Sequence, residues 1–237
     1  MGFIKTQKLS AGMIGSDSSL SVMGAFGIVQ DAVTEFMGEL EIDGLSVKRK
    51  YNAFWVFVRS RIKFFKKLMW NDEYTVTAFF SHKSVAKIHI DVRVCDSSGA
   101  DALYGRVELC VLDIATQRIK RIASVGVDES PAQQAPIEIA FGKLDGFEPK
   151  FIEQVKIRST NIDGSHHTNN LEYIRFIMNT YSVNELEAKA IKEMEVVYAS
   201  QSYENDTLNV LKAAGNDIDY IELQKNSKPV IKCEIVF

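Results

Sequence analysis

The chain has 237 residues, 46% of them apolar and 25% charged, and a net charge of −3. That mixture fits one large or two small globular domains and argues against a general nucleic-acid binder, and no run of about 18 apolar residues is present to span a bilayer. The first ten residues lack the long apolar core of a secretion signal, and three widely spaced cysteines, Cys95, Cys110 and Cys233, read as reduced thiols in a cytoplasmic protein.

Residues 20–40 form the first predicted helix. Its only strongly polar members are Gln30, Asp31, Thr34, Glu35 and Glu39, so it suits a helix wrapped by a sheet rather than one on the surface. Ser18 or Ser19 is the expected cap. Residues 54–64 follow as a strand, ending in alternation that puts Arg59, Arg61 and Lys63 on one face. A turn is expected at Asn71-Asp72, then strands over 75–80, 86–95 and 103–113, with a turn at Asp96 to Gly99.

Residues 128–149 contain Pro131, Pro136 and Pro149 and hold no sustained period. They read as a connection, giving a first domain over 1–130, a linker over 131–149 and a second domain over 150–237.

Beyond it the pattern repeats. Residues 168–181 are predicted helical, with Leu171, Ile174, Met178 and Tyr181 on one stripe. Ser182 and Glu185 form a capping box for a short helix over 183–192. Strands are expected over 194–202, 209–212, 219–224 and 230–237. Asn205-Asp206 echoes Asn71-Asp72. Each half is one helix followed by an antiparallel meander, an α+β arrangement in which two halves pair edge to edge and cover each other's open strands. The alternative is an unrelated α+β domain with a chance Asn-Asp repeat.

The stretch Asp163-Gly164-Ser165-His166-His167-Thr168-Asn169-Asn170-Leu171-Glu172-Tyr173 resembles the D-x-N-x-H-x-N-N-x-x-Y signature of plant and bacterial acyl-acyl-carrier-protein (acyl-ACP) thioesterases. Ser165 stands where that family has asparagine. Three first-half stretches look similar too: the tryptophan strand around Trp55, the turn Lys67 to Asp72, and Leu112 to Arg118. The resemblance implies a double, or tandem, hot-dog, each half a central helix wrapped by an antiparallel sheet. It also implies hydrolysis of a fatty acyl-ACP thioester by water, assisted by a carboxylate and a histidine, within fatty-acid biosynthesis.

The family pattern assigns catalytic positions to Asp163, Ser165, His167 and Gln201. Gln201 occupies the place of a glutamate in a segment like Y-R-R-E-C-G-R-D, and Ser202 that of the cysteine. An amide orients water but takes no proton at neutral pH. Asp163 is therefore the expected working carboxylate, with helix capping as its other reading; Glu172 and Glu204 are its possible substitutes. The helix after His167 offers unpaired N–H groups and a positive dipole end to an oxyanion. Asn169, Asn170 and Tyr173 are expected at the substrate, as are Met23 and Phe26 along an acyl tunnel that is equally plain core.

The cationic residues Arg59, Arg61, Lys63, Lys66 and Lys67 are the first candidate contact for an acidic carrier protein, and Arg118, Lys120 and Arg121 the second; a solvated strand face explains the first set equally well. His166 and His167 are adjacent and lack a third ligand, so no metal site is expected, and no cofactor is implied. Neither a G-x-S-x-G elbow nor a phosphate loop is present, and Trp70 is expected in turn packing. Two other functions stay open at this point: an acyl-coenzyme A thioesterase, and a non-catalytic acyl-binding protein, the latter suggested by Ser165 and Gln201. The expected assembly is a monomer or a homodimer.

Overall fold

Both halves run through the same succession of elements in a computed structural model that describes residues 2–128 and 130–237; Met1, and Glu129 in the proposed connection, lie outside the described residues. The first half contains β1 (Phe3–Lys8), α1 (Val22–Glu39), α2 (Gly44–Tyr51), β2 (Ala53–Phe64), β3 (Glu73–Lys83), β4 (Lys87–Asp96) and β5 (Asp101–Asp113). The second contains β6 (Lys150–Lys156), α3 (Asn170–Met178), α4 (Val183–Ala188), β7 (Glu193–Tyr198), β8 (Thr207–Ala214), β9 (Ile218–Lys225) and β10 (Lys228–Val236). A single 3₁₀ turn precedes the first helix of each half, at Ala11–Met13 and at Ser159–Asn161.

The strands form one sheet in the order β1-β3-β4-β5-β2-β7-β10-β9-β8-β6. The two halves meet where β2 pairs antiparallel with β7, from Arg59 opposite Val197 to Lys63 opposite Glu193. This is the tandem hot-dog. Helix α1 lies in the hollow of the sheet and buries Ala25, Phe26, Ile28, Val29, Ala32, Val33, Phe36 and Met37. The sheet approaches it closely at Gly105 on β5, where a side chain would meet Val29 at 2.9 Å. Helices α1 and α3 pack against each other across the middle.

Several expectations are corrected. Ser21, not Ser18 or Ser19, caps α1 by accepting from the Gly24 N–H. Helix α2 was not expected; Asp43 caps it, accepting from the Leu45 and Ser46 amides. Helices α3 and α4 are shorter than their predicted spans. Strands β1 and β6 were missed because they are edge strands with both faces largely exposed, which removes the period-two signal. The meander is also incomplete, since β2 joins β5 rather than β3.

The connection over 131–149 holds no helix or strand, but it is more than a tether. It crosses the outer face of the sheet, the face away from the helices. The Gln133 N–H donates to Phe80 O on β3. Ile139 is buried against Phe79 and Tyr104, Ala140 O accepts from Arg61, and the Gly142 N–H donates to Glu195 on β7. Phe147 stacks on Tyr220 of β9 at 4.6 Å. Beneath this strap lie buried carboxylates, each answered. Asp91 accepts from Arg106, Tyr104 and Ser81, and Glu195 pairs with Arg61 at 3.0 Å.

Candidate active site

The signature residues fall in the loop that joins the 3₁₀ turn at 159–161 to α3. A bridge between Ile162 and Thr168 closes the loop at its base. Within it the Asp163 N–H donates to His167 O at 2.9 Å, and His166 turns the chain with a φ of 65°. These constraints bring the side chains at 163, 165 and 167 together. Ser165 Oγ lies 2.5 Å from Asp163 Oδ1 and 3.0 Å from His167 Nδ1. The Ser165 N–H also donates to Asp163 Oδ1, at 2.8 Å.

The proton order follows from the inventory of donors. An ionised Asp163 only accepts, and Ser165 has one hydroxyl proton. That proton goes to Asp163, so Ser165 Oγ accepts from His167 Nδ1–H. In neutral imidazole, a proton on Nδ1 leaves the Nε2 lone pair free to accept another. Asp163 and His167 are half-buried and Ser165 is exposed, so the relay opens to solvent.

The loop is fixed to the rest of the half by a buried hydroxyl cluster. The Thr168 N–H donates to Ser202 O, and Thr168 Oγ1 lies 2.7 Å from Ser202 Oγ. Tyr173 Oη lies 2.8 Å from the same Oγ and accepts from the Ser202 N–H. Tyr173 is thus a buried support under the loop, and burial pushes its phenol pKa up. Ser202 is fully buried with its hydroxyl shared between two partners, which leaves no serine nucleophile there.

Asn169 caps α3, accepting from the Leu171 N–H at 2.9 Å. Asn170 is the first residue of the helix, and among the described residues its N–H has no partner. Glu172 bridges Asn161 and Arg175, Glu204 is exposed, and neither joins the relay. Gln201 is exposed on the connection that follows β7, and among the described residues no hydrogen bond joins it to Asp163 or His167.

Sequence reasoning missed Tyr203. Its ring lies 5.1 Å from the His167 ring, and its hydroxyl is 3.5 Å from Gln201 Oε1. Only the turn after β7 brings residue 203 back to residue 167. The one available sequence signal is the alternation Gln201, Tyr203 on either side of the buried Ser202.

The remaining candidates are dispersed. Phe26 is packed into the core and Met23 packs on it. Trp70 is 53% exposed at its turn rather than packed. His89 pairs with Glu108, and the pair belongs to the outer face. The five cations of the first basic set do not form an open basic face. Arg59, Arg61 and Lys63 pair with Glu193 and Glu195 of β7, Lys66 pairs with Asp96, and Lys67 pairs with Asp17. Among the described residues no three metal-binding side chains cluster, and no helix is long and apolar enough to cross a membrane.

Residues 146–235 match the family model of the acyl-ACP thioesterase C-terminal domain. The second half belongs to that thioester-hydrolase family. The matched stretch contains the Asp163–Ser165–His167 relay as well as Gln201 and Tyr203. Two solved structures extend the likeness to the full length as a likeness of fold. An acyl-ACP thioesterase from Bacteroides thetaiotaomicron superposes with a TM-score of 0.83 at 16% identity, covering 100% of this chain and 97% of that one. The 12:0-ACP thioesterase from Umbellularia californica gives 0.83 at 18% identity, covering 99% and 96%. A comparison with curated protein sequences gave no match.

Proposed function

We propose that this protein hydrolyses fatty acyl-ACP thioesters to free fatty acid and carrier protein, as an enzyme of fatty-acid biosynthesis. The observation that carries the reading is the Asp163–Ser165–His167 relay beside the start of α3, inside a domain of the thioesterase family.

In this mechanism His167 is the general base. Its Nε2 takes a proton from water as the oxygen attacks the thioester carbon. Positive charge then develops on the imidazole, and Ser165 passes the stabilising influence of Asp163 to it through two hydrogen bonds. The tetrahedral oxyanion is received by the Asn170 N–H, at the positive end of the α3 dipole. When the intermediate collapses, the proton on His167 goes to the departing thiolate. Gln201 orients water through its amide, with Tyr203 holding it beside His167. Met23 lies one helical turn before Gly27 on α1, and the acyl chain runs along the seam between α1 and α3. The seam also brings Leu171 of α3 within 3.9 Å of the space beside Gly27.

The test is thiol release from medium- and long-chain acyl-ACP, with acyl-coenzyme A in parallel, for wild type, Asp163→Ala, His167→Ala and Gln201→Glu. Turnover on the carrier, abolished by the first two changes, supports the proposal. Full activity in Asp163→Ala removes the relay from the mechanism. Absence of wild-type turnover with acyl chains still bound favours the second reading, a binder, which rests on the amide at Gln201.

A further inference from the structure

The first basic set is neutralised by carboxylates, but the fold leaves other cations unanswered. Four lie together at one end of the sheet. Lys48 and Arg49 are in the last turn of α2, and Arg118 and Arg121 flank the segment after β5. All four are exposed, and among the described residues none has a carboxylate within ion-pair distance. The neighbouring acids are occupied: Glu41 pairs with Lys50 at 2.7 Å, Asp113 pairs with Lys120 at 3.1 Å, and Asp43 caps α2.

The two segments are joined into one surface. Lys120 Nζ donates to Tyr51 O, the Ile114 N–H donates to Asn52 O, and Leu112 bridges to Ile119. Basic residues in the last turn of α2 complement its dipole, which explains Lys48 and Arg49 in part. It does not explain two large apolar side chains among the cations. Leu45 is 80% exposed and sits one turn before Lys48 and Arg49 on the same helix face. Ile119, between Arg118 and Arg121, is 58% exposed. Apolar centres with a charged rim are the anatomy of a protein interface.

The register places this surface at the same end as the relay. The β2–β7 ladder runs from Lys63 opposite Glu193 to Arg59 opposite Val197. Beyond Arg59, β2 continues to Ala53, where α2 and the segment after β5 meet it. Beyond Val197, in the same direction, the chain passes Tyr198, whose ring contacts Phe57, and reaches Ser202, which anchors the loop of His167. Six residues of β2 on one side, and five residues of chain after Val197 on the other, separate the two groups from the shared rung, a reach of roughly 20 Å at most on each side. A partner on this surface therefore faces the end of the sheet where the thioester is cut.

We infer that Lys48, Arg49, Arg118 and Arg121, around Leu45 and Ile119, dock an acidic protein that delivers the acyl thioester on a flexible arm. The inference rests on the proposed thioesterase reading for what is delivered, but the docking itself is measured separately. Opposite charge raises the encounter rate and makes it fall with salt, because the Debye length shrinks to about 8 Å at physiological ionic strength.

The experiment titrates fluorescently labelled acyl-ACP against the full chain by anisotropy at several salt concentrations. It compares wild type with Lys48→Glu/Arg49→Glu/Arg118→Glu/Arg121→Glu, and hydrolysis of a small acyl-N-acetylcysteamine thioester is followed in the same samples. The expected result is binding weakened about tenfold or more, with its salt dependence lost, while small-thioester turnover is unchanged. Binding within twofold of wild type, with the same salt dependence, overturns the docking surface. The milder pair Arg118→Ala/Arg121→Ala separates docking from misfolding: weaker carrier binding with an unchanged melting temperature supports the surface, and unchanged binding counts against it. A wild type that binds the carrier and cleaves neither substrate overturns the hydrolase reading and leaves the docking result standing.

Discussion

The loops that lead into α1 and α3 share one backbone and hold opposite chemistry. Each is closed by a bridge, Ile14 with Leu20 and Ile162 with Thr168. Each turns through a left-handed residue, Ser18 at 60° and His166 at 65°. Each ends in a capping side chain, Ser21 or Asn169, and leans on an Asn-Asp turn in which the aspartate accepts a backbone N–H, Met69 in one half and Tyr203 in the other. In the first loop Asp17 accepts from Ser19 and is tied to Lys67 at 2.6 Å, and these partners hold its carboxyl down to about 2. In the second, Asp163 has no cation within ion-pair distance among the described residues and faces a hydroxyl and an imidazole. The backbone thus supplies the place, and the partner of one carboxylate decides whether it is a structural anchor or part of a proton relay.

The sharpest way to break that comparison is in the relay. His167→Ala or Asp163→Ala is expected to lower turnover by about a hundredfold or more, as loss of a general base does, in a thiol-release assay with the melting temperature unchanged. Ser165→Ala keeps the end groups and removes the link; a fall of about tenfold is expected, with kcat carrying most of it. Wild-type kcat in that variant would disconnect Asp163 from His167. Tyr203→Ala is expected to act more mildly, about three- to tenfold, and to shift the His167 ring-proton resonance that the neighbouring aromatic perturbs; Tyr203→Phe should keep the resonance.

Stability tests sharpen the other side. Arg61→Ala strips a cation from Glu195, which is almost fully buried, and should cost about 3 kcal/mol in denaturant unfolding. Asp17→Asn should cost no more than about 1 kcal/mol, because its ion pair with Lys67 is largely solvent-screened. The pH profile carries the sign. Asp17 is more acidic folded than unfolded, so its contribution is present above the ordinary carboxylate range and lost as pH falls from about 4 towards about 2. The Asn variant should therefore differ from wild type at pH 6 and converge with it near pH 2.

Most of this frame was legible from local pattern. Residues 20–40 announce a largely buried helix by how few polar side chains they carry, and Ser182 with Glu185 announces α4, whose reciprocal cap is present. The positions Asp163, Ser165 and His167 were picked out by their resemblance to the thioesterase signature, whereas the contacts of Ser165 with both of its neighbours were not read from the sequence. What required the third dimension was whatever depends on partners far along the chain. Arg59 and Arg61 read as a basic face until β7 brings Glu193 and Glu195 beside them, 132 to 136 residues away. Helix α2 escaped notice because GLSVKRKY has only two aliphatic side chains to mark a stripe, although Asp43 before it was a usable cap signal. The strap over 131–149 has no period at all, and its buried Ile139 finds its partners only on a sheet face already built.

The seam between the halves carries a last consequence. Strands β2 and β7 are counterparts, each following the helices of its own half, and they pair antiparallel over five rungs. A strand that pairs with its own counterpart sits on an approximate two-fold axis. Either half cut loose would present an edge already shaped to meet a copy of itself, so the covalent connection replaces a self-association rather than creating a new kind of contact. Fusion frees the two loops to diverge, because a residue changed in one half no longer has to be changed in the other.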